Sequence, residues 1–301
     1  MVDEILSTLR LAPTSDFIYS SLSAFAAPPL GGELPGFWFV GALGSLGIEE
    51  QAVRQTLFRL ERRGVLLTRR AGRVKFYRPS PAAMAVLAAG QARVRQRVPR
   101  RWDGSWTLVH FRVGEEDRKA RDGLRDILLV EGFARLSPAL YLHPRDRTKH
   151  LLTAAGRSGL ADRIFVFRGE RIAGPDDRRL VAALWDPGKS IRRYRAFIAR
   201  FLPAAEAPAR QRTERHAFAL RFAVMFEFFR ISWDDPGLPL SLVPPDWPGE
   251  EARALAWRLI QAVTPGARRY AARFLPKPRP QALPEARIMG PRGRRDGAEG
   301  P

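Results

Sequence analysis

GIEEQAVRQTLFRLERRGVLLTRRAGRVKFYR, residues 47–78, is the stretch on which the reading of this chain turns. It predicts a helix rich in Gln and Arg, a glycine stop, and a short two-stranded ribbon with basic residues at its tip. On a helix of about 3.6 residues per turn, Glu49, Val53, Thr56, Leu57 and Leu60 fall on one side, which apart from Glu49 suits a core. Gln51, Gln55 and Arg62 point the opposite way, flanked by Arg54, Phe58 and Arg59. Arg can grip guanine O6 and N7, and Gln can pair with adenine N6 and N7, so this face suits the major groove of DNA. After Gly64 the strand VLLTRR turns through Ala71 and Gly72 into VKFYR, a wing placed to ride on phosphates. The pattern is that of a winged helix-turn-helix. Gln51, Arg54, Gln55, Arg59 and Arg62 are the expected contacts to bases or adjacent phosphates, and Arg69, Arg70, Arg73 and Lys75 the backbone contacts through the wing.

Upstream residues supply the rest of such a unit. TSDFIYSSLSAFA (14–26) predicts a first helix. PGFWFVGALGSLG (35–47) predicts a second, with Pro35 near its start and Gly47 at the turn into the Gln/Arg helix. A solvated amphipathic helix followed by a hairpin would carry mixed charge, but residues 49–78 hold nine Lys/Arg against three Glu.

The same excess runs through the whole chain of 301 residues, with 51 Lys and Arg against 31 Asp and Glu, a net charge of +20. A polyanionic partner is implied, nucleic acid ahead of a membrane surface. The length allows two or three domains with cores of their own. No cysteine is present, which removes disulfides, thiolate metal sites and thiol nucleophiles. Asp3 and Glu4 stand where a secretory leader would be basic, and no stretch reaches the roughly 18–20 apolar residues that cross a bilayer. A soluble, cytoplasmic protein is expected.

Beyond the wing, 81–100 predicts a basic helical linker in which Arg93, Arg95, Arg97, Arg100 and Arg101 crowd its end. RWDGSWTLVHFRV (101–113) predicts a strand, DRKARDGLRDILLVEGF (117–133) a helix, and FARLSPALYLHPR a returning strand. A helix near 147–158 and strands IFVFRG (164–169) and RLVAALW (179–185) complete a βαββαβ-like order, expected as a ferredoxin-like middle domain over 101–185. From 186 to 275 the apolar repeats are helical, interrupted by the Pro-rich WDDPGLPLSLVPPDWPG, and 276–301 is expected to be a disordered tail. With the N-terminal unit at 10–80, the chain is of the α+β class.

Several of these segments also carry a resemblance. VR-x-x-L-x-RL-x-x-x-G followed by GR-x-x-x-YR, then RWDGSW (101–106), EGFARLSPALYLHPR (131–145), LWDPGKSIRRYRAFIARF (184–201) and DDPGLPLSLVPPDWPGEEAR (234–253), resemble in order and spacing the PaaX family of transcriptional regulators. The resemblance runs from about residue 10 to residue 275. It implies a repressor of an aromatic-acid (phenylacetate-type) catabolic operon that binds a double-stranded operator and is released by an aryl-CoA or acyl-CoA effector. It also implies a middle domain similar to the small CRISPR-associated adaptation nucleases. Trp185, Arg192, Arg193, Tyr194, Glu227 and Arg230 lie in the matching segments and are the expected effector residues, the arginines supplying cations for CoA phosphates. The chain departs from the family in one helix. Phe226-Glu227-Phe228-Phe229-Arg230 stands where a His-Glu-aromatic-Arg-Arg run is usual, so effector identity does not carry over. Val65 also replaces a frequent Trp beneath the wing.

No cofactor is expected and no catalytic or metal constellation is evident. Gly188-Lys189-Ser190 ends like a phosphate-binding loop, but Ala183 holds the place of its leading glycine. His110, His143, His150 and His216 are scattered. The enzymatic alternative is a metal-dependent nuclease of the CRISPR-associated type, yet the strand TLVHFRV (107–113) carries no carboxylate to hold a hard cation. A DNA binder without effector response is a further alternative. A homodimer is expected because one recognition helix reads few base pairs, with the helical C-terminal half as its interface.

Overall fold

The computed structural model describes residue 9 and residues 12–25, 32–95, 98–114, 116–208 and 212–275, with the side chains of 89–97 outside the described set. The expected tail, 276–301, and the linker cations Arg93, Arg95 and Arg97 lie outside what is described.

The N-terminal unit comprises α1 (Thr14–Phe25), β1 (Leu34–Pro35), α2 (Gly36–Gly44), α3 (Glu50–Arg62), β2 (Leu66–Ala71), β3 (Val74–Pro79) and α4 (Pro81–Arg95). Each helix buries the stripe its sequence makes apolar: Phe17, Ile18 and Leu22 on α1, Trp38, Phe39, Ala42 and Leu43 on α2, and Val53, Thr56, Leu57 and Leu60 on α3. β2 and β3 form an antiparallel hairpin in which Ala71 faces Val74, and Gly72, at φ 58°, supplies the left-handed turn between them. The sheet order is β1-β3-β2. Two residues carry no periodicity, so β1, which pairs Leu34 with Tyr77, left no signal in the sequence.

The middle unit holds β4 (Ser105–Phe111), α5 (Arg118–Val130), β5 (Ala134–Ser137), β6 (Leu140–His143), α6 (Thr148–Arg157), β7 (Ile164–Glu170) and α7 (Asp177–Trp185). Its sheet runs β5-β6-β4-β7, every neighbouring pair antiparallel. One face is covered by α5 and α6, where Val109, Phe111 and Tyr141 meet Leu124, Leu128 and Leu151. The other is covered in part by α7 and by residues 238–243, which pack on Trp106 and Leu142. FARLSPALYLHPR forms a hairpin of two strands rather than one strand, turning at Pro138 and Ala139.

RLVAALW (179–185), expected as a strand, is helix α7. Asp176 caps it by accepting a hydrogen bond from the Arg179 backbone N–H at 3.0 Å, and the Ala-Ala pair at its centre favours a helix. The apolar run that suggested a strand is divided by the helix. Val181 is fully buried, while Leu180, Leu184 and Trp185 pack against the same cluster with only part of their surface covered.

α8 (Pro187–Glu206), α9 (Glu214–Asp234) and α10 (Gly249–Ala272) complete the chain. They share one continuous core with the N-terminal unit. Phe218 on α9 is its hub, with ring centroids 5.4 Å from Phe25, 5.0 Å from Phe222, 5.3 Å from Tyr270 and 6.5 Å from Trp38. Trp38 Nε1 donates to the Ala271 carbonyl at 2.9 Å. Gly41 lets Phe274 approach so closely that a Cβ there would lie 2.6 Å from the ring. The C-terminal helices, expected from sequence to form a dimer interface, thus bury much of their apolar surface against α1 and α2, while Phe229 and Trp233 on α9 remain 37% and 39% exposed.

Candidate nucleic-acid interface

α3 carries two chemically distinct faces. Opposite the buried stripe, Gln51, Arg54, Gln55, Phe58, Arg59 and Arg62 are all exposed. Arg54 Nε donates to Glu50 Oε1 at 2.6 Å, a surface pair one helical turn apart of the kind worth little in water and open to exchange for a phosphate. The side chains of Gln51, Gln55 and Arg59 make no hydrogen bond or ion pair among the described residues. The Arg62 guanidinium lies 5.8 Å from the centre of the Phe58 ring.

The four hairpin cations expected on DNA phosphates divide in two. Arg69 Nε donates to Glu33 Oε1 at 3.0 Å and its guanidinium stacks 4.8 Å from the Phe76 centroid. Lys75 Nζ donates to Glu61 Oε2 at 2.6 Å, and Thr68 Oγ1 donates to Glu61 Oε1 at 3.0 Å. The Lys75 bond, foremost, and the Thr68 bond hold the Glu61 carboxyl below the usual carboxylate range. Lys75, expected on DNA phosphates, is thus bonded to Glu61 on α3, a tie between helix and hairpin. Arg70 and Arg73 at the tip are exposed and unpaired among the described residues.

The six residues expected around an effector are not gathered into one cavity. Trp185 Nε1 donates to the Gly132 carbonyl at 2.9 Å and its ring stacks on Trp106 at 6.3 Å. Tyr194 is buried, its hydroxyl donating to Asp235, and burial together with that carboxylate pushes its pKa up. Arg193 pairs with Asp234 and donates to the Arg230 carbonyl, so α8 and α9 are tied at this end. Glu227 pairs with Arg200, and desolvation raises its carboxyl pKa despite Arg200 and Arg230. Arg192 and Arg230 are exposed. An open cleft of about 490 Å³ lies nearby, lined by Arg195, Ile198, Asp246, Trp247 and Glu251 among others, and none of the six lines it.

A buried polar joint between the middle unit and the C-terminal helices was missed from sequence. The Arg145 backbone N–H donates to His143 Nδ1 at 3.0 Å, so Nε2 carries the proton and donates to the Pro236 carbonyl at 3.1 Å. Burial, foremost, pulls His143 down to about 3, leaving it neutral. Asp235 accepts from Tyr194 and from the Gly237 N–H, and Arg145 Nη1 donates to the Gly237 carbonyl at 3.1 Å. The signal was the Asp-Pro-Gly at 235–237, a turn signature in a segment with no apolar period.

These features define an α+β protein with an Arg- and Gln-lined helix at one end and an antiparallel four-stranded sheet at its centre. Residues 23–83 match the family model described as PaaX-like protein, 99–181 that of the PaaX protein central Cas2-like domain, and 185–273 that of the PaaX-like protein C-terminal domain. The chain belongs to the PaaX family. A curated relative, Transcriptional repressor PaaX of Escherichia coli (strain K12), is 28% identical over 257 residues, which cover 83% of this chain and 80% of that one. A solved structure titled Uncharacterized protein Rv0674 from Mycobacterium tuberculosis shares the fold, with a TM-score of 0.58 at 22% identity over 86% of this chain and 99% of that chain.

Proposed function

We propose that this protein is a sequence-specific transcriptional repressor whose N-terminal unit, 10–80, is a winged helix-turn-helix with α3 as recognition helix and β2–β3 as wing. The observation that carries the reading is the outward face of α3, where the side chains of Gln51, Gln55 and Arg59 make no hydrogen bond or ion pair among the described residues, beside a hairpin tip bearing Arg70 and Arg73. The relative named a transcriptional repressor supports the direction of regulation. A basic helical linker, 81–100, leads to a ferredoxin-like domain at 101–185, supported by the antiparallel order β5-β6-β4-β7, and to a helical domain at 186–275. The target is a double-stranded operator of a phenylacetate-type catabolic operon in the cytoplasm, and an aryl-CoA or acyl-CoA releases it.

The reading is non-enzymatic. Two of the acids flanking β4 have structural work, since Asp103 pairs with Arg168, and Asp117 both caps α5 and pairs with Arg163. Assembly is as a homodimer on paired half-sites. The interface we assign is the sheet face at β7, where Phe165 and Phe167 are 47% and 59% exposed beside His110. A second copy is the fitting occupant, because the edge strand and its phenylalanines would pair with themselves across a two-fold axis.

Selection of duplexes from a random library, followed by footprinting and light scattering, tests the proposal. We expect an inverted repeat, a footprint over both halves and a dimeric mass that Phe167→Glu reduces to a monomer. Recovery of no preferred sequence would overturn the proposal.

A further inference from the structure

Phe58 is the large apolar side chain on the polar face of α3. The other large apolar side chains of this helix, Val53, Leu57 and Leu60, are between 0% and 3% exposed, whereas Phe58 is 59% exposed. It sits in the middle of the polar stripe, with Arg54 and Gln55 one turn before it and Arg62 one turn after. Its ring meets no other aromatic ring among the described residues, and it belongs to none of the three hydrophobic clusters. Resting on the winged-helix reading, this stripe is the surface that enters the major groove. The groove edges of bases present hydrogen-bond donors and acceptors, and covering them with a phenyl ring would leave those groups without water or partner. One apolar group is displayed there, the 5-methyl of thymine.

We propose that Phe58 is a specificity-determining residue that packs its ring on a thymine 5-methyl group in the operator. Arg62 is held against the same ring, 5.8 Å from its centroid, so the guanine that Arg62 would grip lies within a base pair or two of that thymine. The step read by Phe58 is thus a thymine beside a guanine contact in each half-site.

Deoxyuridine differs from thymidine only by the methyl group, which makes the test direct. The operator recovered by selection is resynthesised with deoxyuridine at each thymine in turn, and affinity is measured by fluorescence anisotropy for the wild type, Phe58→Ala and Phe58→Leu. One position per half-site should lose about fourfold in the wild type, the factor expected for a single buried methyl. Phe58→Leu should keep that sensitivity, and Phe58→Ala should bind both duplexes equally, with an unchanged melting temperature because the side chain is exposed. Uniform tolerance of deoxyuridine by the wild type overturns the proposal, as does the same sensitivity in Phe58→Ala. If instead Phe58→Ala relaxes only the guanine position, the ring merely positions Arg62 and the proposal is again overturned. Selection of no sequence at all would remove the DNA-reading proposal and this one with it.

Discussion

Arg73 and Lys75 lie two residues apart on one hairpin and carry the same charge, yet their surroundings give them different roles. Arg73 is exposed at the tip, while Lys75 is bound to Glu61 on α3. Arg73→Ala should weaken all duplexes alike and lower the salt slope of binding by about one. Lys75→Met should leave the slope unchanged and cost about 0.5–1 kcal/mol of stability at neutral pH, since the pair is only partly shielded from water. The sign with pH follows from Glu61, whose folded pKa is lowered. Its contribution is present above the ordinary carboxylate range and is lost as pH falls through the lowered value, so the difference between wild type and Lys75→Met should vanish in acid. Urea titrations at two pH values, with anisotropy over a salt series, check both halves. A reduced slope in Lys75→Met would return that residue to the DNA. The sequence showed these residues as one run of charge. It hid the division because Glu61 lies 14 positions from Lys75, and Glu33 lies 36 from Arg69.

At the scale of elements, α3 was legible because its apolar stripe repeats at a helical period and is buried in the continuous core. α7 was misread because a short apolar run fits a strand or a buried helix equally well until its cap at Asp176 is weighed. The joint made by residues 235–237 was illegible because its partners, His143, Arg145 and Tyr194, come from distant elements. This joint should sense acid. Unfolded histidine titrates near 6.5 and His143 in the fold near 3, so between these values the unfolded chain holds a proton the folded one lacks. Stability must therefore fall as pH drops below about 6.5, by up to about 1.4 kcal/mol per pH unit for one proton. The charged groups around it, Arg145 and Arg147 with Asp235 close by, include two cations that further disfavour protonation. Glutamine can keep the bonds to Pro236 and Arg145 without titrating. His143→Gln should accordingly flatten the dependence of melting temperature on pH between 6.5 and 5, leaving the smaller part due to His216, which burial also lowers. Equal slopes for wild type and variant would show that the joint does not carry the acid sensitivity.

For the molecule as a whole, the shared core sets what an effector can do. α8 and α9 carry five of the six proposed effector residues, Trp185 standing at the end of α7, and α9 with α10 packs directly on α1 and α2, which support α3. A ligand that spread α8 from α9 would have to break the Arg193–Asp234 and Arg200–Glu227 pairs, and the strain would reach Phe218 and the rings around it. The sequence placed the arginines and the aromatic run on helices, as the fold has them, but it could not show that carboxylates already occupy Arg193 and Arg200. That occupancy leaves Arg192 and Arg230 as the exposed cations among the six proposed effector residues. Phe226, which replaces the more usual polar residue, packs edge-on against Phe17 of α1 with centroids 4.6 Å apart, so the family departure joins the core. A ligand weakens operator binding only by its preference for the DNA-incompetent state, and allosteric couplings commonly span about 5- to 150-fold. Calorimetry with phenylacetyl-CoA, benzoyl-CoA and free CoA, on free and on operator-bound protein, measures that preference. An acyl-CoA should bind the free protein at least fivefold more tightly than the complex, and Arg192→Ala or Arg230→Ala should weaken it about tenfold without altering DNA affinity in its absence. No binding of any of the three, or equal affinity for free and bound protein, would reject release by a CoA thioester.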